Sequence, residues 1–120
     1  MIYNQERIMS SIAELVEYEV MSWPNVEKHP HRFGGIEFRV NGHEIGHLHG
    51  NRQADLPFSV PMRKELVAAG RASLHHILPQ TGWVSYYIQG SESVPGLIEL
   101  FRLNYERYSR SVASPQAKQE

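Results

Sequence analysis

The stretch "GGIEFRVNGHEIGHLHG", residues 34–50, decides how the rest of the chain is read. Asn41-Gly42 stands between two runs of alternating apolar and polar residues. That dipeptide suits a type I′ turn, which needs positive φ at both central residues, so the runs are predicted to pair as an antiparallel hairpin. A two-residue turn sets the register. Val40 opposes His43, Arg39 opposes Glu44, Phe38 opposes Ile45, Ile36 opposes His47, and Gly34 opposes His49. Ile36, Phe38, Val40 and Ile45 then share an apolar face, while Arg39 and Glu44 make a cross-strand charge pair on the other. The same register puts His47 and His49 on the apolar face, at the end away from the turn. Gly34 and Gly35 leave empty volume there. These histidines are therefore expected to line a pocket.

Outward from the hairpin, Gln53–Ser59 alternates Ala54, Leu56 and Phe58 with Asp55, Pro57 and Ser59, and reads as a third strand with an edge or bulge at Pro57. "VPMRKELVAAG" reads as a short helix with Pro61 in its first turn and Gly70 past its end. "SLHHIL" (73–78) and "GWVSYYI" (82–88) read as two strands, with Val84, Tyr86 and Ile88 facing the core. On the N-terminal side, residues 25–31 read as an edge strand because Pro30 cannot donate to a ladder. Before it, Ile8, Ile12, Leu15 and Val16 fall at helical spacing from Asn4 to about Tyr18, ending ahead of Trp23-Pro24. From Ser93 to about Arg110, a long helix carries Val94, Leu97, Ile98, Phe101, Tyr105 and Tyr108 on one stripe.

Helices near both ends and strands between them predict a two-layer α+β fold, a mainly antiparallel sheet covered by the N- and C-terminal helices. Residues 1–112 are expected to form one domain, with 113–120 a flexible polar tail. The element order resembles the YjbR-like and frataxin-like small α+β folds.

The formal charge of −1 gives no electrostatic case for nucleic acid or anionic lipid. No run approaches the roughly 20 apolar residues that span a bilayer, and "MIYNQERIMSS" does not read as a signal peptide, so a cytoplasmic location is expected. The absence of cysteine excludes disulfides, thiolate metal sites and a cysteine nucleophile. Dispersed arginines argue against a phosphate clamp, and there is neither a P-loop nor a Gly-x-Ser-x-Gly elbow.

What remains is histidine. The His-x-His pair at His47 and His49 places two rings on one strand face, with α-carbons roughly 7 Å apart. That is a metal-chelating geometry, to be completed by His31, Asp55, His75 or His76. The plainer reading is a set of neutral, hydrogen-bonded rings lining a polar cleft. Asp55 is expected on the face opposite His47 and His49 unless a bulge at Pro57 re-aims it. Of the pair His75-His76, strand parity turns only one ring toward the pocket, and it favours His76. Trp83 is a candidate aromatic wall or a residue packed under a helix.

The run "HRFGGIEFRVNGHEIGHLHGNRQADLPF", followed by "HHILPQTGWVSYYI" and "LFRLNYER", resembles small luciferase-family proteins that share a domain with fungal luciferase. The motifs that carry the resemblance are Gly34-Gly35, Glu44-x-Gly-His-x-His-Gly, Asp55-x-Pro-Phe, His75-His76 and Gly82-Trp83. Fungal luciferase oxidises a hydroxylated pyrone with dioxygen. The resemblance therefore implies oxygen-dependent oxidation of a small enolic or aromatic ligand, with a non-catalytic ligand-binding or interaction module as the alternative. On this reading His47, His49, His76 and Asp55 are the catalytic candidates, and His31, Gly34, Gly35, His75 and Trp83 the ligand-binding ones. His47 and His49 are also the metal candidates. No particular cofactor is indicated, and a small-molecule ligand is the expected partner.

Overall fold

A computed structural model of the chain describes residues 11–31 and 34–113, with side chains to residue 110. The elements run α1 (Ile12–Met21), β1 (Val26–Pro30), β2 (Ile36–Val40), β3 (His43–His49), β4 (Gln53–Leu56), α2 (Val60–Ala68), β5 (Ser73–Leu74), β6 (Val84–Tyr87), a 3-10 turn (Ser91–Ser93) and α3 (Val94–Ala113). The strands form one antiparallel sheet in the order β1-β2-β3-β4-β6-β5. The fold is α+β, with helices at both ends of the chain, as the sequence predicts. No described helix is long and apolar enough to cross a membrane.

Helix α1 begins at a capping box: the Ser11 hydroxyl accepts from the Glu14 N–H, and the Glu14 carboxylate accepts from the Ser11 N–H. It runs on to Met21, beyond the Tyr18 that the sequence spacing suggests; residues 4–10 of the expected helix lie outside the described residues, as does the expected tail beyond Ala113, which closes α3. Val16 and Val20 form its buried stripe. Helix α3 lies against β2, β3 and β4 and presents Leu97, Leu100, Phe101 and Tyr105 to the core. Phe101 meets Phe38 edge-to-face at 5.6 Å between ring centres. Ile45, Leu48, Leu56 and Val84 complete this layer.

The hairpin forms across Asn41-Gly42, with φ of 55° and 82° at the turn, and Val40 pairs with His43 and Arg39 with Glu44. There the expected register ends. A bulge between Phe38 and Arg39 shifts the ladder, so that Phe38 pairs with Gly46, Glu37 with His47 and Ile36 with Leu48. Ile45 is the extra residue, and it stays buried beside the core. Three features hold the bulge. Gly46 has a φ of 149°, and a Cβ there would stand 2.6 Å from Cε1 of Phe101, so the close approach of α3 requires glycine. The Ile45 carbonyl accepts from Asn104 Nδ2 at 3.2 Å. The same fully buried amide donates to the Pro57 carbonyl at 2.7 Å, tying α3 to the chain beyond β4.

The bulge exchanges the two faces of β3 beyond it, because side chains alternate and one extra residue inverts every later position. Leu48 turns to the helices. His47 and His49 turn to the opposite face, not the apolar one that an unbroken register assigns them. The Arg39–Glu44 pairing also differs from expectation at the side-chain level: Arg39 Nε donates to Glu37, and Glu44 engages His47.

Strands are shorter than the sequence suggests. β4 ends at Leu56, before Pro57, and β5 is limited to Ser73–Leu74. His75 to Leu78 leave the sheet as a loop, so strand parity no longer governs them.

Candidate functional site

Cross-strand pairing lines up one row of side chains on the face away from the helices: His29, Glu37, His47, Asp55, Ser85 and Ser73. Their neighbours along the strands, such as Phe38, Leu48, Ala54, Leu56 and Val84, are buried in the core. The central part of this row forms the floor of a cleft of about 780 Å³. Pro30 and His31 close one side, while His75–Leu78 and Trp83 close the other.

Asp55 organises the floor. It is 1% exposed, and its two oxygens have different partners. Oδ1 accepts from Ser85 Oγ at 2.8 Å and from Gln53 Nε2 at 3.1 Å. Oδ2 faces His49 Nε2 at 3.1 Å and His47 Nε2 at 3.3 Å. Burial alone would raise the carboxyl pKa. The contacts with His47, Ser85 and Gln53, and the charge of His75, outweigh it and hold Asp55 well below the usual carboxylate range.

His47 lies between two carboxylates. Its Nδ1 is 2.6 Å from Glu44 Oε2 and its Nε2 faces Asp55. Burial would lower its pKa, but the hydrogen bonds and charges of Asp55 and Glu44 together raise it to about 9. His31 stacks on His47 with ring centres 3.9 Å apart, and burial and the His47 charge push its own pKa down.

His75 is held differently. Its Nδ1 accepts from the backbone N–H groups of Ile77 and Leu78 at 3.1 and 3.0 Å, so the neutral ring carries its proton on Nε2, 3.8 Å from Asp55 Oδ1. Burial lowers its pKa, against the pull of Asp55. His76 reaches the same carboxylate from the exposed side, its Nδ1 4.0 Å from Oδ1 and 3.2 Å from Gln53 Nε2.

Of the residues singled out in the sequence, His31, His47, His49, Asp55, His75, His76 and Trp83 all line this one cleft. Three expectations need correcting. Asp55 is on the same face as His47 and His49, because the bulge inverts β3 and leaves β4 unchanged. His75 and His76 both reach the cleft, with His75 the buried ring and His76 the exposed one. Gly34 and Gly35 are not among the lining residues; Gly34 N–H donates to the His31 carbonyl and His31 N–H to the Gly35 carbonyl, a turn that sets His31 over His47. Sequence reasoning missed Glu37, Glu44, Gln53 and Ser85 as site residues. A glycine inside β3 was the available signal, since it marks a bulge and so a change of face.

Three groupings of these side chains bring ligand atoms within 4.8 Å of one another: His31, Glu44 and His47; His47, His49 and Asp55; and Asp55, His75 and His76. No curated protein and no solved structure matches the chain. Residues 42–104 match the Luciferase domain family, and that span includes Glu44, His47, His49, Gln53, Asp55, His75, His76, Trp83 and Ser85. The match covers more than half of the 120 residues, and the chain belongs to the luciferase domain family.

Proposed function

We propose that the cleft binds a small enolic or aromatic ligand and supports its oxidation by dioxygen. The observation that carries this reading is Asp55, a buried carboxylate with two imidazoles on one oxygen and a hydroxyl and an amide on the other. Taking charges out of water is costly, and a sheet that needed only to pack would be served as well by apolar residues. The size supports the reading too: about 780 Å³ is within the range of small-molecule sites. Trp83, Ile77 and Leu78 supply apolar wall beside the polar floor.

In such an oxidation the enol gives up its proton, and the resulting enolate carbon forms a bond to dioxygen with its own electron pair. The distal oxygen then takes up a proton, so that ligand and dioxygen combine one to one as a hydroperoxide. His47 is poorly placed as the base, since both its ring nitrogens already face carboxylates. That engagement also favours the second reading, a module that binds its ligand without turning it over.

The test uses hydroxypyrones and catechols with the full chain, following binding by calorimetry and dioxygen with an electrode. Saturable binding with oxygen uptake, both lost in His49→Ala and His76→Ala, is the expected result. Binding without uptake selects the second reading. Binding that survives both substitutions in folded protein removes the cleft from either.

A further inference from the structure

Two imidazole nitrogens converge on a single carboxylate oxygen. His49 Nε2 and His47 Nε2 stand 3.1 and 3.3 Å from Asp55 Oδ2, and each of the three residues offers a ligand atom within 4.8 Å of those of the other two. Around a first-row ion with bonds near 2.1 Å, neighbouring ligand atoms stand about 3.0 Å apart in an octahedron and about 3.4 Å apart in a tetrahedron. The two separations observed fall between these values.

The surroundings are arranged to match. Oδ1 of Asp55 is occupied by Ser85 and Gln53, which orients the carboxylate with Oδ2 toward the rings. The 2.6 Å contact between His47 Nδ1 and Glu44 is too short for two ligands of one ion, but it suits an Nδ1–H donated to a carboxylate. An ion at this position would take the place of the proton between Nε2 and Oδ2, leaving the Nδ1–H on Glu44. A carboxylate behind a histidine is the usual outer partner of a metal-binding imidazole.

We propose that His47 Nε2, His49 Nε2 and Asp55 Oδ2 hold one divalent first-row transition-metal ion, with Glu44, Ser85 and Gln53 as outer hydrogen-bonding partners. Two imidazoles and a carboxylate on one side leave the remaining positions open to the cleft, the arrangement of non-haem iron sites that use dioxygen. The His49 side chain, 33% exposed, marks the way in. The other two groupings are less suited. One would take Glu44 from its hydrogen bond to His47. The other needs Asp55 Oδ1, which already accepts two hydrogen bonds, and its rings stand 3.8 and 4.0 Å away.

The inference deepens the proposed role of the cleft, on which its functional meaning rests, but binding is read without ligand or turnover. Full-length protein with any tag removed is stripped with chelator and titrated with Co(II), then Zn(II), following the visible cobalt absorption and the melting temperature. One Co(II) per chain, displaced by Zn(II) and raising the melting temperature, is expected. Glu44→Gln should weaken binding about 10–100-fold. His49→Ala should weaken it further, and His43→Ala, outside the cleft, should leave it unchanged. Because Asp55 is buried and its replacement threatens the fold, His49→Ala carries the test, with circular dichroism confirming that each variant is folded. Absence of stoichiometric uptake, or uptake that His43→Ala reduces as much as His49→Ala, overturns the proposal. Metal bound without any small-molecule binding would sink the proposed function and leave the metal site standing; the converse result would do the opposite.

Discussion

The two faces of the sheet use the same strands for opposite ends. On the helix-covered face, Phe38, Leu48, Leu56 and Val84 are sealed beneath Leu97, Leu100 and Phe101. On the other, Glu37, His47, Asp55 and Ser85, adjacent in sequence to those residues, make a polar row, of which Glu37, His47 and Asp55 line the floor of a cleft and Ser85 lies buried beside Asp55. Burial of apolar area stabilises the first face; the second confines charge and imidazole at close range, which contributes less to stability and more to chemistry. The two are separated by one residue of register. The Ile45–Gly46 bulge is where that residue is inserted, so it decides which side chains serve which purpose.

Substitutions on the two faces should therefore diverge, the largest losses falling on the covered one. Phe38→Ala should cost about 3–5 kcal/mol in urea denaturation, because it empties a fully buried aromatic site. A loss below about 1 kcal/mol would mean that this face is not the core. Gly46→Ala should cost about 2–4 kcal/mol, combining backbone strain with a clash against Phe101. A neutral result would deny the close approach of α3 to the bulge. Asn104→Ala should cost about 1–3 kcal/mol by leaving the Ile45 and Pro57 carbonyls without their shared donor. If amide exchange at residues 44–48 were unaffected in that variant, Asn104 would not be the brace of the bulge. His49→Ala should change stability by less than about 1 kcal/mol, since its side chain borders the cleft. A cost matching Phe38→Ala would place His49 in a core and erase the contrast between the faces.

The sequence made much of this fold legible, for local reasons. Asn41-Gly42 specifies its turn through positive φ, and the apolar spacing from Val94 to Tyr108 specifies α3 through one buried stripe. The chemistry-bearing side chains were also legible as a set, because seven histidines are conspicuous in 120 residues and five of them line the cleft. Their face was not. Strict alternation carried from the turn past Gly46 gives the wrong side for His47 and His49; Gly46 is the local hint of a bulge, and tertiary contact with Phe101 and Asn104 fixes it in place. The roles of Ser85 and Gln53 were hidden for a similar reason. A serine or glutamine in a strand is unremarkable until the fold sets it against a carboxylate, Ser85 by pairing with Asp55 and Gln53 from two residues along the same strand. His75 and His76 were misjudged because β5 ends at Leu74 and the loop beyond it obeys no parity.

The placement of His47 can be read directly from cross-strand proton contacts in the NMR spectrum of the full chain. The bulged sheet places His47 opposite Glu37 on one side and Asp55 on the other, with Leu48 opposite Ile36 and Ala54. Backbone contacts joining those pairs, together with contacts from the Leu48 methyl groups into the apolar core, are the expected result. Contacts that instead pair His47 with Ile36 and His49 with Gly34, the register of an unbroken hairpin, would turn both rings toward the helices and contradict the account of the cleft.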